Sequence, residues 1–343
     1  MTAPMNVPMN TSMRVGVLTS GGDCPGLNAG ILEVVRVLSH AGATPVLIPD
    51  GYAGLQRADQ ILITPSELRQ ASLRGGSVLG SSRTNLGKDG ALEQAIHGFR
   101  NLGLDALVAF GGDGSLRGVA RLAEHGIIAA GIPKTIDADV GCTDATIGFD
   151  TAVQTGCLAI EHIDDTRRSH RSSFVVEVMG RRSGMLAAAI ARAASVDGVV
   201  VPEVEWSLPG LIEQLSNPAG SVIVVAESAW PKDLGPRPLA ANGKPRVGGI
   251  VDSLTEVLSE QVPRLRTATL GHLLRGGSPV ASDRLLAKDL AACAAESVLS
   301  GSPCIAAVRS GRVQPLPAAE GFALRRFLSP EEIAALSGLV LSA

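Results

Sequence analysis

No stretch of this 343-residue chain reaches the roughly 18 consecutive apolar residues that a bilayer-spanning helix needs. The opening residues 1–13 also lack the basic start and following apolar run of a secretion signal, and are read as a loose tail. Cysteine is scarce: Cys24, Cys142, Cys157, Cys293 and Cys304 are odd in number, scattered and without C-x-x-C spacing, so they read as reduced cytosolic thiols. Neither sign of charge dominates. A net charge of -3 provides no global field for nucleic acid, so any anionic ligand has to be gripped by local arginines. No internal repeat or low-complexity segment stands out, although 229–247, rich in Pro, Gly and Lys, reads as a surface loop. The expectation is a soluble cytoplasmic protein whose partners include neither nucleic acid nor membrane.

What the chain does have is apolar residues and glycine. With 45% hydrophobic and 18% charged residues it can bury a large core, and its length fits two domains or one large α/β unit. Short aliphatic runs at 14–19, 45–49, 106–110, 127–131, 174–178, 199–201, 222–226 and 305–308 read as strands. Longer segments of helical period, among them 27–40, 90–102, 151–165, 185–194, 250–258 and 282–300, lie between them. Such alternation predicts an α/β fold of largely parallel sheet with helices on both faces, its strands apolar on both sides. A domain boundary is placed near Gly148, with a late segment from about Leu274 returning to the first domain.

Two glycine-rich turns, each following a strand-length apolar run, carry most of the functional signal. Residues 15–28 run into Gly21-Gly22-Asp23, and 106–115 run into Gly111-Gly112-Asp113-Gly114-Ser115. Glycine lets backbone N–H groups press against an anion, and a carboxylate beside them can hold the cation of a metal-bound polyphosphate. The first turn fits neither G-x-x-x-x-G-K-[ST] nor G-x-G-x-x-G, so alone it also reads as a tight strand-to-helix turn. In the second, Asp113 is placed to hold Mg²⁺ and Gly114 leaves room for a phosphate. Taken singly, that turn fits a nicotinamide-nucleotide or lipid kinase equally well. A third element brings Thr135, Asp137 and Asp139 to another strand end, where a carboxylate could take the proton of an attacking hydroxyl. An isolated Asp-x-Asp is also an ordinary Asx turn, and its position soon after the metal turn favours the functional reading.

These three motifs, in this order, resemble the phosphofructokinase family. The likeness continues through Val176-Glu177-Val178-Met179-Gly180-Arg181, Ala226-Glu227 and 267–279, and spans about 14 to 295. It implies two Rossmann-like domains with largely parallel sheets: 14–148 plus about 274–324 for the nucleotide, and 149–273 plus about 325–343 for the sugar phosphate. It implies transfer of the γ-phosphoryl of Mg-ATP to the 1-hydroxyl of fructose 6-phosphate. Gly21, Tyr52, Arg83, Thr84, Gly112, Asp113, Gly114 and Ser115 match nucleotide positions, with Asp113 as the magnesium ligand. Asp137 matches the base, with Thr135 and Ile136 lining the sugar. Met179, Gly180, Arg181 and Glu227 match groups that hold the sugar phosphate and the transferring phosphoryl. Arg266, His272 and Arg275 match the grip on the 6-phosphate, where guanidinium forks and an imidazole suit a dianion. The family's counterpart of Arg266 reaches in from a neighbouring subunit, which implies a homodimer or homotetramer with shared active sites.

Donor choice hangs on two positions. Pyrophosphate-using members carry Asp where this chain has Gly114, and Lys where it has Lys134; the open space at Gly114 favours ATP, and 80–85 resembles the mixed-substrate branch that contains both kinds. A pyrophosphate-dependent enzyme and a catalytically impaired binding homologue are the alternatives. Ala138 stands where the family has Asn, and Ser172 where it has an arginine, whose role adjacent Arg171 is expected to take. Leu32, one turn before Arg36, replaces an effector-binding arginine, so weak regulation by ADP or phosphoenolpyruvate is expected.

Overall fold

The computed structural model describes residues 13–342 apart from positions 242 and 244, so the expected tail, Met13 excepted, lies outside the described residues. The chain divides into two compact units. One comprises Met1–Thr135, Val140–Gly148 and Ser278–Leu324; the other comprises Ile136–Asp139, Phe149–Gly277 and Arg325–Ala343. The short stretch Ile136–Asp139, placed with the first domain on sequence, therefore clusters with the second unit, and the return to the first begins at Ser278.

In the first unit the chain runs β1 (Arg14–Thr19), α1 (Leu27–His40), β2 (Thr44–Leu47), α2 (Gly51–Arg57), α3 (Pro65–Ala71), α4 (Ala91–Asn101), β3 (Ala106–Gly111), α5 (Asp113–Glu124) and β4 (Ile128–Pro133). In the second, α6 (Phe149–His170), β5 (Ser173–Val178), α7 (Met185–Ala193), β6 (Gly198–Val200), α8 (Leu208–Leu215), β7 (Val222–Ala226), α9 (Ile250–Leu258) and β8 (Leu265–Thr269) follow. The chain then adds α10 (Ala281–Leu299), β9 (Cys304–Arg309) and β10 (Arg312–Pro317) to the first unit, and α11 (Pro330–Ala334) to the second.

The first unit holds a six-stranded sheet of order β10-β9-β4-β3-β1-β2, parallel except for the antiparallel β10. Its central strand β3 is buried along its whole length, as a strand covered on both faces must be. Leu18, Ile48, Leu55, Leu107, Leu116 and Val119 form the middle of its core. The second unit holds a four-stranded parallel sheet of order β6-β7-β5-β8. Its strands β5, β6 and β7 are wholly buried, while β8, at the edge, is largely exposed. The helices on these sheets make the architecture α/β, as the alternation in the sequence predicts.

Two strands escaped the sequence reading, and both are edges. In β10 the sequence RVQPLP contains Pro315, which a sheet tolerates only where its missing N–H faces no partner. In β8 the sequence LRTAT has no apolar alternation because little of it is covered. Among the described residues no helix is long and apolar enough to cross a membrane.

Close approach decides one helix contact. A Cβ on Gly98 of α4 would lie 1.7 Å from the carbonyl oxygen of Leu55 in α2. Alanine raises intrinsic helix stability over glycine by about 1 kcal/mol, but here it must push backbone away. Gly98→Ala should lower unfolding stability by about 2 kcal/mol, read as a lower urea midpoint at unchanged slope, because overpacking against backbone outweighs propensity. A midpoint that rises would mean α2 and α4 do not pack this closely.

Candidate functional site

In the first unit, the carboxyl ends of β1, β3 and β4 lie side by side, with Thr19 opposite Phe110 and Gly111 opposite Pro133. Each runs directly into a sequence-predicted motif, the place where ligands sit in parallel α/β sheets. The Ser20 N–H donates to Phe110 O at 2.8 Å and the Lys134 N–H to Gly111 O at 3.0 Å, so the three turns are hydrogen-bonded together. The Lys134 side chain is buried, and its ammonium donates to Ser20 O at 3.0 Å and to Gly22 O. Across the two glycine turns, a Cβ on Gly21 would stand 3.7 Å from both Lys134 Nζ and Ser115 Oγ.

Gly21, Gly22, Asp23, Ser77 and the stretch from Gly80 to Arg83 line an open cavity of about 380 Å³. Arg83 is exposed at its rim, and the Thr84 hydroxyl lies 3.0 Å from that of Ser82. Gly112 precedes α5 as its N-cap, and Asp113 is the helix's first residue, its carboxylate accepting from Arg117 Nε at 3.1 Å. Gly114 is exposed, and a Cβ there would meet nothing within 4 Å. Mg²⁺ is held by one or two carboxylates with phosphates and water completing its shell. A half-buried aspartate at the start of α5 fits that donor set.

Tyr52 corrects the sequence reading. Its ring is wholly buried in the core and its hydroxyl donates to Ser115 O at 2.8 Å, so it supports α5 from beneath and offers no face to a nucleotide. Ile136 is likewise fully buried, so its side chain does not line an open sugar site as expected. Thr135 is half-buried and fixed through its backbone: its N–H donates to Ile147 O at 3.2 Å and its carbonyl accepts from Thr146 Oγ1 at 2.7 Å.

In the second unit the predicted residues gather beyond the carboxyl ends of β5 and β7. The Asp137 carboxyl is buried, and burial pushes its pKa up. The positive charges of Arg275 and Arg181, a hydrogen bond from the Arg181 N–H, and the charge of Arg325 all pull the other way. Glu227, after β7, accepts from the Gly180 N–H at 3.2 Å, and its pKa is also raised, chiefly by burial and further by the negative charges of Asp137 and Glu177. The Ser228 hydroxyl donates to Gly180 O at 2.7 Å, so both polar groups of that peptide are engaged. Gly180 has φ 152°, and a Cβ there would fall 2.7 Å from Ser183 O, which reserves the position for glycine. Met179 is half-buried; Arg181 and His272 are exposed, and Arg275 closes the 3₁₀ turn Gly271–Arg275.

Two residues to which the sequence reading gave no role belong to this arrangement. Glu177, buried on β5, accepts from the N–H groups of Gly249 at 2.9 Å and Val251 at 3.2 Å and so caps α9. Arg325 comes from beyond the segment that carried the resemblance, and its only signal is a basic pair, Arg325-Arg326, set in an apolar run. Ala138 adopts φ 50°, a left-handed conformation open to Asn but unfavourable for Ala by about 1 kcal/mol. The departure from the family's Asn therefore burdens the backbone next to Asp137 as well as removing a polar neighbour.

Arg266 is not brought to this cluster within one chain. It pairs with Phe174 near the start of β5, whereas Met179 follows the strand's far end at Val178. Four residues of parallel strand separate the two levels, about 13 Å. Arg171, exposed at φ 50°, lies at the same end as Arg266, and buried Ser172 adjoins it.

With Tyr52 in a supporting position, Tyr52→Phe should lower stability by about 1 kcal/mol, the net worth of one buried hydrogen bond. The Michaelis constant for a nucleotide should change less than twofold; a tenfold rise would restore the ring to the binding surface.

The phosphofructokinase family model matches residues 14–298. The chain is 39% identical over 302 residues to ATP-dependent 6-phosphofructokinase 3 of Streptomyces coelicolor, covering 84% of this chain and 88% of that protein. It is 37% identical over 331 residues to a pyrophosphate–fructose 6-phosphate 1-phosphotransferase of Amycolatopsis methanolica, covering 93% and 97% of the two chains. Among solved structures, Pichia pastoris phosphofructokinase superposes with a TM-score of 0.79 at 27% identity, over 91% of this chain and 35% of that longer one. A family match across most of the chain, joined to relatives of this identity, places the chain in the phosphofructokinase family.

Proposed function

We propose that the protein is an ATP-dependent 6-phosphofructokinase, transferring the γ-phosphoryl group of Mg-ATP to the 1-hydroxyl of fructose 6-phosphate to give fructose 1,6-bisphosphate and ADP in glycolysis. The observation that carries the reading is Asp137: a buried carboxyl with a raised pKa, surrounded by arginines, at the carboxyl end of a parallel sheet. Asp137 accepts the hydroxyl proton as the sugar oxygen forms its bond to phosphorus and the bond to the ADP oxygen breaks. Arg181 and Arg275 face the anionic sugar phosphate and the transferring group. Asp113 would hold Mg²⁺, which offsets charge on the donor phosphates. Gly21, Arg83 and the turn from Gly112 to Ser115 receive the nucleotide, and the empty space at Gly114 supports ATP.

Pyrophosphate is the second reading, favoured by Lys134 and by the Amycolatopsis relative. Against it, the Lys134 ammonium is spent on backbone carbonyls of the first turn. The remaining cation on the effector face of α1, Arg36, is paired with Glu33 at 2.5 Å, which supports weak control by ADP or phosphoenolpyruvate. The cytoplasm, where thiols stay reduced, suits the described cysteines, all of which are free.

A homo-oligomer completes the proposal. Arg266 and Arg171 sit at the strand end remote from Asp137, on or beside an exposed edge strand, so a second copy is the chain they can serve. A mixture of Arg266→Ala and Asp137→Ser variants, each nearly inactive alone, should recover about a quarter of wild-type activity after co-refolding, as random pairing restores one intact site per hybrid dimer. No recovery would place Arg266 in its own chain's site.

Purified protein assayed with fructose 6-phosphate should turn over with Mg-ATP and only marginally with pyrophosphate. Product with neither donor would leave a binding homologue. Asp137→Ser should lower kcat about a hundredfold or more, and the acid limb of wild-type kcat/KM should lie above the ordinary carboxylate range because burial raises this pKa. The same raised pKa means that the group's stabilising contribution is present below the unfolded-state pKa and is lost as pH rises through the folded one. Asp137→Asn should accordingly raise Tm at pH 7.5 while abolishing turnover; a lowered Tm would show that the arginines outweigh burial.

A further inference from the structure

We propose that Arg325, delivered by the C-terminal segment, is a positioning residue for the proton-accepting Asp137: it fixes the Asp137–Asp139 loop and supplies a cation that keeps Asp137 ionised. The inference rests on the assignment of Asp137 as base.

The segment that carries Arg325 is fastened to the second unit along its length. Leu339 O accepts from the Val199 N–H at 2.7 Å, and the Leu341 N–H donates to Val199 O at 3.0 Å, extending the edge at β6. The Leu328 N–H donates to Glu203 Oε1 at 3.3 Å, and the same carboxylate accepts from the Gly184 N–H before α7. The capping box of Ser329 and Glu332 starts α11, and Arg326 Nη2 donates to Glu332 Oε1 at 2.6 Å. These ties leave Arg325 and Arg326 at the loop that carries Asp137.

There the two arginines act on the loop in different ways. The Arg326 N–H donates to Asp139 O at 3.1 Å, which fixes the loop backbone two residues from the base. The Arg325 Nε lies 3.8 Å from the Asp139 carboxylate, both side chains largely shielded from water, so the pair is not a freely solvated one. Arg325 also exerts a positive field on Asp137, in the same direction as Arg275 and Arg181 and opposed by burial. The charged groups acting on Asp137 are therefore Arg181 after β5, Arg275 after β8 and Arg325 from the C-terminal segment, while Glu227 after β7 feels the charge of Asp137 in turn. Without a third cation the base would be protonated, and idle, over a wider range of pH. The family match ends at residue 298, so this contribution comes from the part of the chain beyond it.

The test is the pH profile of kcat/KM for fructose 6-phosphate in the full-length protein, comparing wild type with Arg325→Lys and Arg325→Gln. Loss of the charge should move the acid limb upward by about half a pH unit and lower kcat several-fold, whereas Arg325→Lys should leave the limb near its wild-type position. If Arg325→Gln does not fold, judged by circular dichroism, Arg325→Met keeps the apolar stem and serves in its place. An acid limb that stays fixed when the charge is removed overturns the inference, even if kcat falls, because a purely structural role lowers activity without moving the limb. Wild-type protein with activity but no acid limb would instead overturn the assignment of Asp137 as base.

Discussion

A carboxylate that must take a proton has to be withdrawn from water far enough to be basic, yet kept ionised by charge close at hand. In its proposed role as proton acceptor, Asp137 is held between these demands. Burial raises its pKa, while Arg275, Arg181, an N–H of the same residue 181, and Arg325 oppose that rise. Neither tendency is useful alone: a carboxyl merely buried would carry its proton at neutral pH, and one merely paired would be too weak a base. Much of the second unit is explained by the need to bring groups from four separate stretches of chain to this one point. The wholly buried strands β5 and β7 end together, the Ile136–Asp139 loop joins them, and the C-terminal segment closes the group.

The nucleotide site proposed for the first unit sets a different requirement, that of exposing backbone N–H groups to an anion without exposing the rest of the peptide. Its three adjoining strands end in turns that are hydrogen-bonded to one another, so the glycines are held by neighbours even where they lack side chains to pack. Tyr52 shows how far the support reaches. Its only polar atom is used on the carbonyl of Ser115, one turn into the helix that Asp113 begins.

The sequence was most legible where chemistry constrains several neighbouring residues at once. Gly-Gly-Asp after an apolar run could be read as a turn at a strand end because strand, turn and helix start all limit the same few positions, and the central strands could be read because burial on both faces leaves an unbroken apolar run. Legibility failed where the constraint lies between distant residues. Tyr52 sits next to the right loop in sequence, but nothing local says that its ring turns inward. Ile136 adjoins Asp137 and is buried for the same kind of non-local reason. The edge strands β8 and β10 were missed because half-exposed strands need no apolar pattern, and the level of Arg266 along β8 became visible only from its register with Phe174. Arg325 lies 50 positions beyond Arg275, the last motif residue in the cluster, and a lone basic pair carries no signature.

Lys134 has a consequence for the polarity of the first turn. In a trans peptide the carbonyl and the following N–H point in opposite directions. By drawing the oxygens of Ser20 and Gly22 toward its interior ammonium, Lys134 turns the succeeding amides, those of Gly21 and Asp23, the other way. One of these is used by Ser82 O, and both residues line the cavity. A cation behind the loop thus orients dipoles in front of it, and the sign of solute that the loop admits is written partly from underneath.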